Sequence, residues 1–157
     1  MALRKFNPIT PGTRHKVLSK FDDITADKPH KPLLRPLKKS GGRNGDGKMT
    51  MRYRGGGHKR RYRLIDFKRN KHMEATVLTV EYDPNRSARI CLVEYTDGEK
   101  RYIVAPQGLK PGMKIHSGKD ATPNVGHAMY MSDIPLGTTI HNIELYPGKG
   151  ASIARSA

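Results

Sequence analysis

The feature that most constrains this chain is where its charge lies. Residues 1–72 carry 21 Lys and Arg against 5 Asp and Glu, a net of +16, while residues 73–157 carry 9 against 9. The whole excess therefore sits in the first half. Like charge at this density opposes compaction unless a polyanion neutralises it. The same half is interrupted by Pro8, Pro11, Pro29, Pro32 and Pro36, and by the glycine-rich stretch KSGGRNGDGK at 39–48. Its apolar residues are too sparse to offset the entropy of ordering it. The expectation is a basic arm over residues 1–60, disordered when alone and fixed on a polyanion. Fully extended, such an arm would reach about 200 Å.

Several classes of function fall away. No run of about 18 apolar residues offers a spanning helix, and the prolines and glycines of the arm prevent a long amphipathic one. The opening MALRKFNPIT has no apolar segment of a secretory signal. Cys91 is the one cysteine of the chain and lies in an apolar run, which excludes an internal disulfide or a multi-cysteine zinc site and makes it a core residue. A cytoplasmic address is expected. The seven histidines, His15, His30, His58, His72, His116, His127 and His141, form no HxxxH or HExxH pair. SGKD at 117–120 and GTT at 137–139 read as turns rather than nucleophile elbows. No catalytic residue, metal or cofactor is expected.

From Tyr62 the pattern turns to strands. Candidates are YRLIDF (62–67), ATVLTVEYD (75–83), RICLVEY (89–95), RYIVAP (101–106) and MKIHS (113–117), separated by DPNRSA, TDGE and GLKPG turns. In the second, Val77, Thr79 and Glu81 would share one face, and Leu78, Val80 and Tyr82 the other. Glu81, Asp83, Glu94, Asp97 and Glu99 read as solvated edge and turn residues. Five short strands with tight turns predict a mainly β fold, a five-stranded oligonucleotide-binding barrel over 61–126, with an SH3-like barrel as the nearest competitor. Thr138–Leu145 is a further strand candidate with too few following partners for its own sheet. Residues 127–157 are therefore expected to begin a second, incomplete β unit.

RGGGHKRRYR, Arg54 to Arg63, joins the two halves. As a nucleotide loop it fails, because no Ser or Thr follows the lysine and no strand or helix flanks it. A plain linker explains the glycines but not the cations beside them. Contact with a phosphate backbone explains both. Gly55, Gly56 and Gly57 let main chain approach a phosphate, while Arg52, Arg54, Lys59, Arg60, Arg61 and Arg63 grip it. Tyr53 and Tyr62 offer stacking faces to unpaired bases. His58 would donate or stack, or be a passive loop residue. The same reading takes in Arg14, His15, Lys38, Lys39, Arg43 and Lys48 of the arm.

Three stretches carry a resemblance to a known family: 41–71, containing RYRGGGHKRRYR; 80–112, containing DPNRSA; and 134–150, containing GTTIHNIEL. They resemble ribosomal protein two of the large subunit, bacterial type, and the likeness runs from about Pro8 to the last residue. The resemblance implies an RNA-embedded extension, an oligonucleotide-binding barrel and the beginning of an SH3-like barrel. It implies binding to large-subunit ribosomal RNA, a role in assembly, subunit association and support of the peptidyl-transferase region, and neighbouring ribosomal proteins as partners. Small-subunit contacts and transfer RNA follow from the same likeness. It adds Lys68, Arg69, Lys71 and Arg86 to the expected RNA contacts. The family's second barrel continues past the position of Ala157, and its C-terminal extension has no counterpart in this sequence.

The leading expectation is thus a structural, non-enzymatic RNA-binding component of the ribosome, with no membrane association and no homo-oligomer. The alternative is a free single-stranded RNA-binding or RNA-chaperone module, which would use the same charges and the same barrel. An enzyme acting on RNA would need a paired acid/base or metal constellation.

Overall fold

Residues 2–156 are described in a computed structural model. In the arm, β1 (Leu3–Lys5) pairs with β2 (Val17–Ser19) around the single-turn helix α1 (Pro11–Arg14). A 3-10 turn at Lys31–Leu33 leads into β3 (Leu34–Pro36), which pairs antiparallel with β4 (Arg61–Arg63). The second half supplies β5 (Ala75–Glu81), β6 (Ile90–Tyr95), β7 (Lys100–Val104) and β8 (Lys114–Ile115). These form one antiparallel sheet in the order β7-β6-β5-β8, curled as half of a barrel. The mainly β, oligonucleotide-binding-like architecture expected from the strand pattern is what the chain adopts.

The strands form where β-branched and aromatic residues alternate, and the turns where the backbone can reverse. Between β6 and β7, Tyr95 N donates to Glu99 O and Gly98 N to Tyr95 O, each at 2.9 Å. Gly98 sits at φ 83, a conformation that glycine adopts without steric cost. One face of the sheet buries Val77, Cys91, Val93, Ile103 and Ile115, each at most 1% exposed. The other face buries Ile90, Leu92 and Tyr102, against which Leu33, Ile65 and Leu78 pack. Burying each such side chain contributes about 1.5–3 kcal/mol.

Four local expectations are corrected. Simple alternation along 75–83 fails at Leu78. Val77 pairs with Val93 and Thr79 with Leu92, so Leu78 is an extra, bulged residue. The bulge places Val80 on the same core face as Val77, with Leu78 on the other. Glu81 and Asp83, expected in solvent, are 3% and 0% exposed. Glu81 accepts from the Tyr102 hydroxyl, and Asp83 from the neighbouring Asn85 and Arg86, which is how a carboxylate tolerates burial. Thr138–Leu145 forms no strand: Asn142 turns left-handed at φ 55, and the segment keeps a single bridge from Ile143 to Ile153. The expected 62–67 strand changes partner midway, because β4 lies on β3 while Ile65 bridges Tyr102 on the outer edge of β7.

The arm docks on the sheet in spite of its charge. Thr25 N donates to Val80 O, and Val80 N donates to Thr25 Oγ1, both at 2.9 Å; Ala26 bridges Glu81 alongside. This segment covers the edge of β5 beyond the bulge, as β8 covers Ala75 and Thr76 before it. Backbone hydrogen bonds, completed by the Thr25 hydroxyl, do what the arm's few apolar side chains do not.

Candidate nucleic-acid interface

The turn at Lys31–Leu33, β3 and the loop after it form one wall of a groove; the loop entering β4 forms the other. The groove has a volume of about 1150 Å³. Lys31, Arg35, Lys38, Lys39, Arg43, Lys59, Arg60 and Arg61 line it together with His58, Gly56 and Gly57. Among the described residues no Asp or Glu lines it, and none of these cations lies within 4.0 Å of a carboxylate oxygen. Like charges gathered in a concave surface repel one another and raise the local concentration of anions. The chemistry fits a polyanion with its charges spaced along a backbone.

The groove is shaped by glycine. Gly55 has φ 89, and a β-carbon there would come within 2.5 Å of the Gly41 α-carbon, so two loops meet backbone to backbone. Gly56 and Gly57 face open space on the groove. Asn44 Oδ1 accepts from Asp46 N at 3.1 Å and Lys48 N at 2.9 Å, which closes the intervening loop. At the loop tip Tyr53 has φ 59 and is 98% exposed, with the Arg52 guanidinium 5.7 Å from its ring centre. Arg54 donates to Met51 Sδ at 3.4 Å, and His58 Nδ1 lies 2.9 Å from Lys59 O.

Of the residues singled out in the sequence, Lys38, Lys39, Arg43 and Gly56 to Arg61 come together on the groove. Lys48, Arg52, Tyr53 and Arg54 are exposed on the adjoining loop; Tyr62 is half-buried in β4 opposite Arg35. Arg14 and His15 lie apart, exposed at the end of α1. Lys68 is exposed, and its N–H donates to Asp66 Oδ1 at 3.1 Å.

The remaining cations are engaged within the protein. Arg63 is 9% exposed; its Nη1 donates to Arg61 O at 2.8 Å and lies 3.8 Å from Asp83. Arg86 Nε donates to Asp83 Oδ2 at 2.6 Å. Arg69 Nη2 donates to Ser117 Oγ at 3.0 Å and Gly126 O at 3.1 Å, and burial pulls its pKa below the ordinary arginine value. Lys71 bonds Asp97, and Glu99 at 2.5 Å, and these bonds hold its pKa above the usual lysine value. Arg63, Arg86 and Lys71 thus lie beside carboxylates of the fold, and Arg69 beside neutral acceptors.

Sequence reading passed over Lys31 and Arg35, which line the groove. The signal was present, since KPLLRPLKK places cations at 31, 35, 38 and 39 along one extended segment. It also passed over Arg155, which lies 4.9 Å from the Phe67 ring centre, with Arg86 5.6 Å from the same ring. Nothing in the linear sequence joins these three residues.

Residues 30–117, which hold both walls of the groove, match the family model described as ribosomal proteins L2, RNA binding N-terminal domain. The whole chain aligns with the large ribosomal subunit protein uL2 of Cytophaga hutchinsonii at 63% identity, covering 57% of that protein. Identity is 60% to the proteins of the same name from Akkermansia muciniphila and Parabacteroides distasonis, covering 57% and 58% of their lengths. The chain therefore spans a little under three fifths of these relatives. With more than half of its residues inside the family model, the chain belongs to the ribosomal protein L2 family.

Proposed function

We propose that this chain is a structural, RNA-binding part of the large ribosomal subunit that binds large-subunit ribosomal RNA. The observation that carries the reading is the groove of eight Lys and Arg side chains without a carboxylate partner among the described residues. Its action is electrostatic and geometric, and no bond is made or broken. Residues 1–60 act as the arm that lies along RNA, 61–126 as the barrel that roots it, and 127–157 as the beginning of a further β unit. The groove cations neutralise phosphates, the exposed glycines admit the backbone closely, and Tyr53 stacks on an unpaired base. In the assembled particle this part supports assembly, subunit association and the peptidyl-transferase region, beside other ribosomal proteins and near transfer RNA, on cytoplasmic ribosomes.

Each phosphate neutralised contributes a log–log salt slope of about 0.7 to 0.9. The test is a titration of the full chain against a transcript of large-subunit ribosomal RNA at rising salt. Affinity should fall by orders of magnitude between about 50 and 200 mM. Binding that ignores salt would remove the mechanism. Sedimentation separates the subunit component, which travels with large-subunit particles, from a free RNA chaperone, which does not.

A further inference from the structure

Both walls of the groove meet Tyr102 of β7, which joins them to the sheet beside the β3–β4 pairing and the Asn85–Arg61 bond. The Tyr102 ring is fully buried with Ile90 and Leu92, and Leu33 and Ile65 pack against that cluster. Leu33 belongs to the arm wall; Ile65 follows β4, the opposite wall. The polar contacts divide in the same way. The Tyr102 hydroxyl accepts from His30 N at 2.7 Å, next to Lys31 of the groove. It donates to Glu81 Oε2 at 2.7 Å, and Glu81 Oε1 accepts from Thr79 Oγ1 at 3.0 Å. The Tyr102 carbonyl accepts from Asp66 N at 2.8 Å, beside the Ile65 bridge.

We infer that Tyr102 is a positioning residue for RNA binding, holding the arm wall and the β4 wall of the groove in one fixed arrangement before RNA arrives. This rests on the proposed RNA-binding role. The reason is mutual repulsion of the groove cations. With no RNA present it acts against the packing of both walls on the sheet; the β3–β4 ladder holds the walls to each other, and the arm has few apolar side chains to hold them to the barrel. A buried hydroxyl with both its donor and its acceptor role satisfied resists separation, because parting would leave buried polar groups unmet. Without that tether the arm must be ordered during binding, and the entropy of ordering it weakens affinity. The bound state keeps the same phosphate contacts. Affinity should therefore fall while its salt dependence stays the same, whereas loss of a residue that touches phosphate lowers both.

The experiment is Tyr102→Phe in the full chain, which keeps the ring and removes the hydroxyl. Binding to a large-subunit ribosomal RNA transcript is measured across a salt series, and amide hydrogen exchange is measured on the free protein. We expect binding about fivefold weaker at every salt concentration, the scale of one hydrogen bond, with an unchanged slope. The His30 amide should exchange faster while the Val93 and Ile103 amides stay protected. Wild-type affinity, or weaker binding with a shallower slope, overturns the inference. If Tyr102→Phe loses the protection of Val93 and Ile103, His30→Pro decides. It removes the same donor from the arm side, at a φ of −67 that proline accepts. Unchanged affinity in that variant overturns the inference; weaker binding at an unchanged slope supports it. Should the unsubstituted chain fail to bind the transcript, the RNA-binding reading itself falls, a result distinct from either variant's.

Discussion

Gly55 rests directly on Gly41, with the α-carbon of Gly41 within 2.5 Å of where a Gly55 β-carbon would stand. The middle of RGGGHKRRYR is thus held by the protein's own backbone, and Gly56 and Gly57 remain open to a ligand. Gly55→Ala must place a side chain at φ 89, at a cost of about 1–2 kcal/mol, and must also push the Gly41 loop away. Gly56→Ala meets only the first penalty. We expect Gly55→Ala to weaken RNA binding by about tenfold and Gly56→Ala by less, with unchanged melting of the sheet. Equal losses in the two variants would show that the loop contact is irrelevant.

Arg54, Arg60 and Arg61 are exposed and form no ion pair among the described residues. Their joint replacement by Ala should lower the salt slope by about 2 to 3, at 0.7 to 0.9 for each phosphate contact. The far-ultraviolet circular dichroism of the sheet should not change. Collapse of that signal would assign these arginines to the fold. Val80→Asp is the converse case. Val80 is 6% exposed within the core cluster, so an unpaired carboxylate there should unfold the barrel.

Asp83, fully buried, ties together the turn between β5 and β6 and the root of the groove. It accepts from Asn85 N at 2.9 Å and Arg86 Nε at 2.6 Å, and Arg63 lies 3.8 Å away. Asn85 Nδ2 also donates to Arg61 O at 2.9 Å, linking the turn to β4. Asp83→Ala would leave Arg63 and Arg86 without their counter-ion, Arg63 among buried groups. We expect a loss of about 3–5 kcal/mol in denaturant unfolding. A loss below about 1 kcal/mol, the scale of a surface ion pair, would mean that solvent reaches the site.

The pH profile of stability follows from a few groups. Asp23 is held below its ordinary 3.8 by its hydrogen bond from Arg89; Asp97 and Glu99 are lowered by bonds from Lys71 and Arg101 respectively. For lowered carboxylates the stabilisation is present above the unfolded-state value and is lost as pH falls through the folded one. Lys71 is raised above 10.5, chiefly by Asp97, so its contribution is complete below that value and disappears above it. Burial pushes the Cys91 thiol from 9.0 up to about 12. Above 9.0 the unfolded chain ionises this thiol and the folded chain does not. Stability should then drop by up to about 1.4 kcal/mol per pH unit until the folded value is reached. Burial also holds His141 below its ordinary 6.5, so stability falls as pH drops below that value. Chemical unfolding across pH should show a plateau from about pH 7 to 9, with losses on both sides. Below pH 9 a thiol reagent should modify Cys91 no faster than the protein unfolds, and rapid labelling of the native chain would contradict its burial.

What could be read in the sequence was what depends on neighbours along the chain. Alternation marked β5, β6 and β7, Asp97-Gly98 marked the hairpin between them, and the charge split marked the basic arm. Cations spaced through 38–61 marked most of the groove. The tertiary structure decided the rest. A period of two says which residues share a face but not where a bulge moves the count, and Leu78 is the residue left without a partner on β6. Whether a carboxylate stays in solvent depends on donors brought to it by folding; Glu81 meets Tyr102 from 21 residues away. Composition describes the arm as unable to bury itself, yet Thr25 accepts from Val80 N and His30 N donates to the Tyr102 hydroxyl, partners 55 and 72 residues away. The sequence by itself therefore determined the strands and the excess of charge, because local spacing sets both. Only the tertiary structure decided which cations stay exposed on the groove and which are engaged within the protein, because a bond needs two groups placed side by side: Lys71 meets Asp97 and Glu99, and Arg69 meets Ser117 and Gly126, from other parts of the fold.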